Sequence, residues 1–174
     1  EFIMRDGEDE HLQAIERALD RMQRLIEDML TLAREGAAVG ETQPVALRKV
    51  ANRAWNNVAT EAASLEIESS IQIDADDSRL IQLFENLYRN AIEHGGDAVT
   101  IHVGALENGF YIEDTGPGIP ESERDDVFES GYTTNQDGTG FGLAIVKRIV
   151  EAHGWEITVT TGRDGGARFE ISGV

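Results

Sequence analysis

Cysteine is absent from the 174 residues, which removes disulfides, thiolate metal sites and cysteine nucleophiles from consideration. Lysine is nearly absent as well: Lys49 and Lys147 are the only two, and every other cationic side chain is arginine. No apolar run approaches the roughly 20 residues that cross a bilayer. No secretory pattern opens the chain either, since Glu1-Phe2-Ile3-Met4 resembles a leftover of cloning and residues 1–8 are set aside as a flexible start. Positive charge is scarce overall, with 15 Lys and Arg against 33 Asp and Glu and a net charge of -18. That balance excludes an unaided nucleic-acid or anionic-membrane surface, and any anionic ligand needs a local positive field. An acidic, lysine-poor surface is expected of a cytoplasmic protein from a salt-accumulating organism, where dense salt screens the self-repulsion.

What the sequence does have is strongly patterned. Leu12, Ile15, Leu19, Met22, Ile26, Met29 and Ala33 alternate three and four apart through a stretch free of Gly and Pro from Asp9 to Glu35, a heptad seam. Leu25, Leu30 and Leu32 widen it, so the helix, assigned to residues 9–36, is expected in a bundle with partners from elsewhere. Gly36, Gly40 and Pro44 punctuate a linker over 37–44. Residues 45–174 then form the main domain. A helix is predicted over Val45 to Ala63, a strand over Ile67 to Ile73, and a helix over Arg79 to His94 capped from Asp76-Asp77-Ser78 and stopped by Gly95-Gly96. Two strand pairs follow, Val99 to Val103 with Gly109 to Glu113 and Trp155 to Thr161 with Ala167 to Ile171. Between them lie a Gly-rich loop and a helix over Leu143 to His153. The expected fold class is α+β, a two-layer sandwich of helices on a mixed, mainly antiparallel sheet, preceded by the long N-terminal bundle helix.

Three segments carry chemistry. Asp114-Thr-Gly-Pro-Gly118 presents a carboxylate at a strand end, with glycines that let a flat ligand reach the backbone; such a carboxylate can accept from an exocyclic amine like that of adenine. Gly138-Thr-Gly-Phe-Gly142-Leu143 leads into a helix N-terminus, whose free amides and dipole favour anions and supply the local positive field. It matches neither the dinucleotide fingerprint nor the Gly-x-x-x-x-Gly-Lys-Ser/Thr loop. Asn86 and Asn90, four apart, share one helix face among Leu83, Phe84, Leu87 and Ile92, and one amide oxygen there can ligate Mg²⁺.

In order, Asn86-Leu-Tyr-Arg-Asn90-Ala-Ile-Glu-His94, Asp114 to Gly118, Phe128 and Gly138 to Leu143 resemble the N, G1, F and G2 boxes of histidine kinases, within the wider ATPase family that includes gyrase and MutL. The resemblance covers about residues 45–174 and implies a Bergerat-type ATP-binding fold. The heptad helix, ending in Leu30-Thr-Leu-Ala-Arg34, resembles the second helix of the dimerisation and phosphotransfer stem. Carried over by residue, the resemblance implies Asp114 as adenine anchor, Asn90 as Mg²⁺ ligand and Asn86 beside the phosphates, both asparagines being catalytic. Gly116, Gly118 and Ile119 would shape the adenine pocket, with His94 flanking the nucleotide. Gly138, Thr139, Gly140, Phe141, Gly142 and Leu143 would form the phosphate end. Tyr132, Thr133 and Thr134 would begin a mobile lid reaching Asp137, its base packed by Phe128.

The implied activity is that of a protein-histidine kinase using ATP and Mg²⁺ and releasing ADP. The implied partners are a second copy paired through the N-terminal helix and a response regulator receiver domain, with no nucleic acid. None of the four histidines stands in the phosphoacceptor motif, so the accepting histidine is expected on a stem helix outside this sequence. Two other readings are an ATP-hydrolysing relative, which would carry a glutamate where Asn86 stands, and a nucleotide-switched binding module without phosphotransfer.

Overall fold

The computed structural model describes residues 2–33, 39–58, 62–96, 98–133 and 138–174, with side chains on the first helix described from His11 to Leu30. That helix, α1 (Phe2–Ala33), starts well before Asp9, because nothing between Ile3 and Glu8 breaks a helix except the weak former Gly7. The heptad seam stays bare: Leu12, Ile15, Leu19, Met22, Ile26, Met29 and Leu30 are each 54 to 59% exposed. No described helix is long and apolar enough to cross a membrane.

The remaining elements are β1 (Gln43–Ala46), α2 (Leu47–Asn57), β2 (Ser64–Ile67), β3 (Gln72–Ala75), α3 (Asp77–Gly95), β4 (Thr100–Leu106), β5 (Gly109–Asp114), α4 (Gly142–Ala152), β6 (Glu156–Thr161) and β7 (Ala167–Ser172). Five strands form one mixed sheet in the order β2-β4-β5-β7-β6, in which β2 and β4 run parallel and every other pair is antiparallel. A second sheet holds only β1 and β3. Leu80, Phe84 and Leu87 of α3, Val50 and Ala54 of α2, and Ile145, Val146 and Ile149 of α4 pack in one core with Ile101, Val103, Phe110, Ile112, Phe169 and Ile171 of the sheet. Phe84 stacks on Phe110 of β5 with ring centroids 5.8 Å apart, which pins α3 to the middle of the sheet, and within α3 Phe84 meets Tyr88 at 5.6 Å.

Two expectations need correction. Val45 does not open a helix. It sits in β1 opposite Ile73, because Pro44 and Val45 suit an edge strand, and α2 begins two residues later at Leu47 and ends at Asn57, short of Ala63, with Val58 already extended. The single strand over Ile67 to Ile73 is two strands in two sheets. Ser69 Oγ accepts from the Ala105 amide at 2.7 Å and Ser70 Oγ from the Arg48 amide at 3.2 Å, so the chain leaves one sheet and enters the other through a pair of serine-held turns.

The helix-free face of the main sheet carries an unbroken row of polar side chains. Glu66, His102, Glu113, Arg168 and Thr160 are register partners across all five strands. Glu113 is 1% exposed and bonds Arg168 at 2.9 Å and Arg163. Arg168 lies 3.8 Å from the centroid of the Tyr111 ring, and the Tyr111 hydroxyl donates to Glu68 at 2.6 Å. This face is thus closed by its own charges.

Candidate functional site

On the opposite side, α3, the end of β5 and the start of α4 enclose a cavity of about 280 Å³. Asp76 positions α3: one carboxylate oxygen accepts from the Ser78 and Arg79 amides at 3.0 and 3.2 Å, which fixes the first turn. The helix then runs uninterrupted past Asn86 and Asn90, and both line the cavity. Asn86 is 7% exposed and one N–H of its Nδ2 donates to the Gln82 carbonyl at 2.9 Å. Its Oδ1 lies 3.4 Å from where a Cβ on Gly142 would stand, so the Asn86 side chain packs directly against the first residue of α4.

Asp114 ends β5 and is 8% exposed. The Gly116 and Ala167 amides both donate to its Oδ1, at 2.8 and 3.2 Å. Burial pushes this carboxyl above the ordinary aspartate range, against the pull of those two amides and of His94. A carboxylate so placed, with no arginine against it among the described residues, is costly to keep ionised and strongly disposed toward an incoming donor.

The turn before β7 supplies the wall behind Asp114. A Cβ on Gly166 would fall 1.8 Å from the Asp114 carbonyl oxygen, so only glycine lets β7 approach closely enough for the Ala167 amide to reach the carboxylate. At the far end, Gly140 has φ +74 and its Cα packs on the Gly131 backbone, a conformation that turns the chain into α4. Among the described residues no side chain caps α4, and Gly142 and Leu143 at its start line the cavity. The first amides of this helix therefore have no intrahelical acceptor and face the cavity with the positive end of the dipole.

The structure brings Asn86, Asn90, His94, Asp114, Gly118, Ile119, Tyr132, Thr133, Gly138, Thr139, Gly140, Gly142 and Leu143 to one cavity wall. Gly116 and Phe141 lie outside that wall. A Cβ on Gly116 would meet Asp114 Oδ1 and the Gly95 Cα, each at 2.9 Å, so it serves closeness to α3. Phe141 packs on the core, because an apolar ring between two pocket-facing glycines gains most by turning inward. Thr134 lies outside the described residues. Phe128 packs edge-on against Phe169 at 6.5 Å, beneath the loop. Tyr132 donates to Glu123 at 2.7 Å.

Sequence reasoning missed Gly166, Ala167 and, from α1, Arg24 and Asp28. The Gly165-Gly166 pair just before a strand is the signal that could have found the first two. For the α1 residues there is no such signal, since charges beside a heptad seam read as a solvated face.

Similarity to known proteins follows the same residues. The family described as "Histidine kinase-, DNA gyrase B-, and HSP90-like ATPase" matches residues 75–172. The chain is 35% identical over 178 aligned residues to the sensor histidine kinase ZraS of Salmonella typhimurium, covering 95% of this chain and 38% of that protein. The chain thus spans well under half the length of this curated relative. Among solved structures, the mycobacterial sensor histidine kinase MprB superposes with a TM-score of 0.66 at 29% identity, covering 75% of this chain and 95% of that one. Full-length ShkA, solved in complex with AMPPNP, gives a TM-score of 0.66 at 31% identity, covering 92% of this chain and 37% of that one. The family match runs from the end of β3 through β7 and takes in Asn86, Asp114, Ala167 and the approach to α4 as one continuous piece, so the chain belongs to the histidine kinase-, DNA gyrase B- and HSP90-like ATPase family.

Proposed function

We propose that this chain is the ATP-binding catalytic part of a sensor histidine kinase, which transfers the ATP γ-phosphate to a histidine on a stem helix for onward transfer to a response regulator aspartate. The observation that carries the reading is the polarity of the cavity. A buried acceptor, Asp114, stands at one end, and the uncapped amides of α4 stand at the other.

Asp114 accepts from the adenine amine through Oδ2, the oxygen that neither backbone amide engages. Ile119 and Gly118 then flank the base, and the phosphates extend to the start of α4, where the amides of Gly142 and Leu143 stabilise their charge. The donor set fits a Mg²⁺ held chiefly by phosphate oxygens. Asn90 offers one neutral amide oxygen in the wall, and among the described residues no three His, Cys, Asp or Glu side chains gather into a protein cage. Bound there, the ion supplies charge neutralisation along the triphosphate. Asn90 and Asn86 hold and orient, and neither can take a proton from water.

That last point favours transfer over hydrolysis. Residue 86 is an asparagine already committed to Gln82, and the neighbouring Glu85 accepts from Asn57 at 2.8 Å and from Arg89 at 3.3 Å, outside the cavity. Glu93, the one carboxylate of α3 that lines the cavity, is paired with Arg24 at 3.1 Å and so is poorly placed to activate water. The exposed seam of α1 supports its reading as a stem helix that pairs with a second copy. Two of the chain's own histidines are poor acceptors: His102 is buried beside Glu66 and Glu68, and His153 is held between the Asp76 amide and the Ile149 carbonyl.

The test supplies a histidine-bearing stem polypeptide from such a kinase together with γ-labelled ATP and Mg²⁺. Acid-labile label on the stem, dependent on this chain, is expected. Release of free phosphate without transfer would favour the hydrolase reading, and nucleotide binding with neither outcome the switch.

A further inference from the structure

Helix α1 does not merely extend from the domain; one of its faces lies on the nucleotide cavity. Arg24 and Asp28 sit on that face and line the cavity alongside the α3 and α4 residues. On a helix advancing 100° per residue they fall on the side away from the bare seam of Leu12, Ile15, Leu19, Met22 and Ile26. Arg24 pairs with Glu93 of α3 at 3.1 Å. Asp28 accepts from the Thr139 hydroxyl at 2.7 Å.

Thr139 belongs to the loop that leads into α4, where the phosphates are placed. A hydroxyl has one proton to donate. Here that proton goes to Asp28, so a phosphate oxygen arriving beside Thr139 must take it. Asp28 would then be left half-buried, without its donor, next to the new anion. Burial already pushes Asp28 above the ordinary aspartate range, so it tolerates charge there poorly. Arg89 is in reach to soften the repulsion, but it is engaged with Glu85 at 3.3 Å.

We propose that Asp28 is a phosphate-sensing gate: the seated position of α1 and a filled phosphate end of the cavity exclude one another, so that Asp28 sets how strongly the site discriminates nucleotides by phosphate number. The inference rests on the ATP reading given above. By linkage, whatever holds α1 seated weakens ATP, and ATP in turn unseats α1 by the same factor. AMP, which does not reach Thr139, leaves the helix in place. ADP falls between.

Asp28→Asn keeps an oxygen acceptor for Thr139 and removes only the charge. Calorimetry on the whole chain with AMP, ADP and ATP, each with Mg²⁺, is expected to show ATP bound about tenfold more tightly by the variant, the size of one close charge pair in partly screened surroundings. ADP should gain less and AMP nothing. An equal gain for all three would make Asp28 a plain steric obstacle and overturn the gate, as would no gain for ATP. If neither chain binds any of the three, the ATP reading itself falls and takes the gate with it. The absence of cysteine permits a second readout. Spin labels on Glu16→Cys of α1 and Glu107→Cys of the domain should separate or broaden in distance with ATP and stay unchanged with AMP. A distance unmoved at saturating ATP would also overturn the proposal.

Discussion

Glu113 and Asp114 are adjacent carboxylates at the end of one strand, both buried, and they face opposite sides of the sheet. Glu113 has Arg163 and Arg168 against it. Asp114 has two backbone amides, both on the same oxygen. The polar face sets two guanidinium groups against the carboxylate of Glu113, as a structural network must, although His102 Nδ1 in the same row has no hydrogen-bond partner among the described residues. The cavity face leaves one oxygen of its carboxylate without a protein donor among the described residues, and burial makes the charge costly to hold there. Two neighbouring positions in the sequence, both acidic and both buried, thus differ in the company each one keeps, and the proposed function gives the first to stability and the second to binding.

The comparison is most sharply tested by exchanging each carboxylate for its amide. Asp114→Asn retains the oxygen that Gly116 and Ala167 bond but sets a donor toward the adenine amine. ATP affinity should fall about 100-fold, while unfolding free energy stays within about 0.5 kcal/mol of the parent. Titration calorimetry and urea melts check the two halves. Glu113→Gln should do the reverse, since it takes the buried charge away from Arg163 and Arg168 and leaves them, among the described residues, only the carboxylates of Glu68 and Glu170. Arg163 is about half exposed and can turn to water, so the loss should be about 2–3 kcal/mol of stability rather than the larger values of fully buried pairs. ATP affinity of the folded fraction should stay within about twofold. If the two variants traded effects, the division of labour across β5 would be wrong.

A smaller effect is expected at Asn90. Asn90→Ala should weaken Mg-ATP about tenfold and metal-free ADP by much less, because one neutral ligand among phosphates and waters carries only part of the ion's binding. Equal losses with and without Mg²⁺ would make Asn90 a structural amide, and the cavity face would then have one functional side chain fewer to set against the ladder.

The cavity face was also the more readable in sequence. Asn86, Asn90, Asp114 and the Gly138 to Gly142 run stand out because their glycines and amides break the apolar period of α3 and the alternation of the strands. The hairpins declared themselves through Asn108-Gly109 and Gly162 to Gly166. The split between β2 and β3 did not. Apolar alternation carries on from Ile67 to Ile73, and Ser69 and Ser70 change sheets by side-chain bonds to Ala105 and Arg48, partners 36 and 22 residues away. The Glu66–Thr160 row was equally hidden, since its members look like ordinary solvent-facing residues until register aligns them. The docking of α1 depends on Arg24 and Asp28 meeting Glu93 and Thr139, and polar pairing leaves no periodicity to read.

Acid should distinguish the two faces by sign, though its effect is the smallest. On the polar face Glu68, held by Arg163 and Tyr111, has its carboxyl lowered to about 2 from an ordinary 4.5. The unfolded chain therefore binds that proton first, so Glu68 contributes stability that is present above about pH 4.5 and lost as the pH falls toward 2. On the cavity face the carboxyl of Asp114 is raised from its ordinary 3.8, so the folded chain binds its proton first. Asp114 thus destabilises the fold at neutral pH, and that penalty is relieved as the pH drops through its raised value toward 3.8. Urea melts from pH 7 to pH 3 should show Glu68→Gln losing less stability than the parent below pH 4.5, whereas Asp114→Asn should lose more, having surrendered the relief. Glu68 is partly exposed and screened by salt, so both differences should be modest and largest at low ionic strength. Parallel pH profiles for the two variants would mean that the two faces respond to acid alike, and that the contrast between Glu113 and Asp114 does not extend to the groups around them.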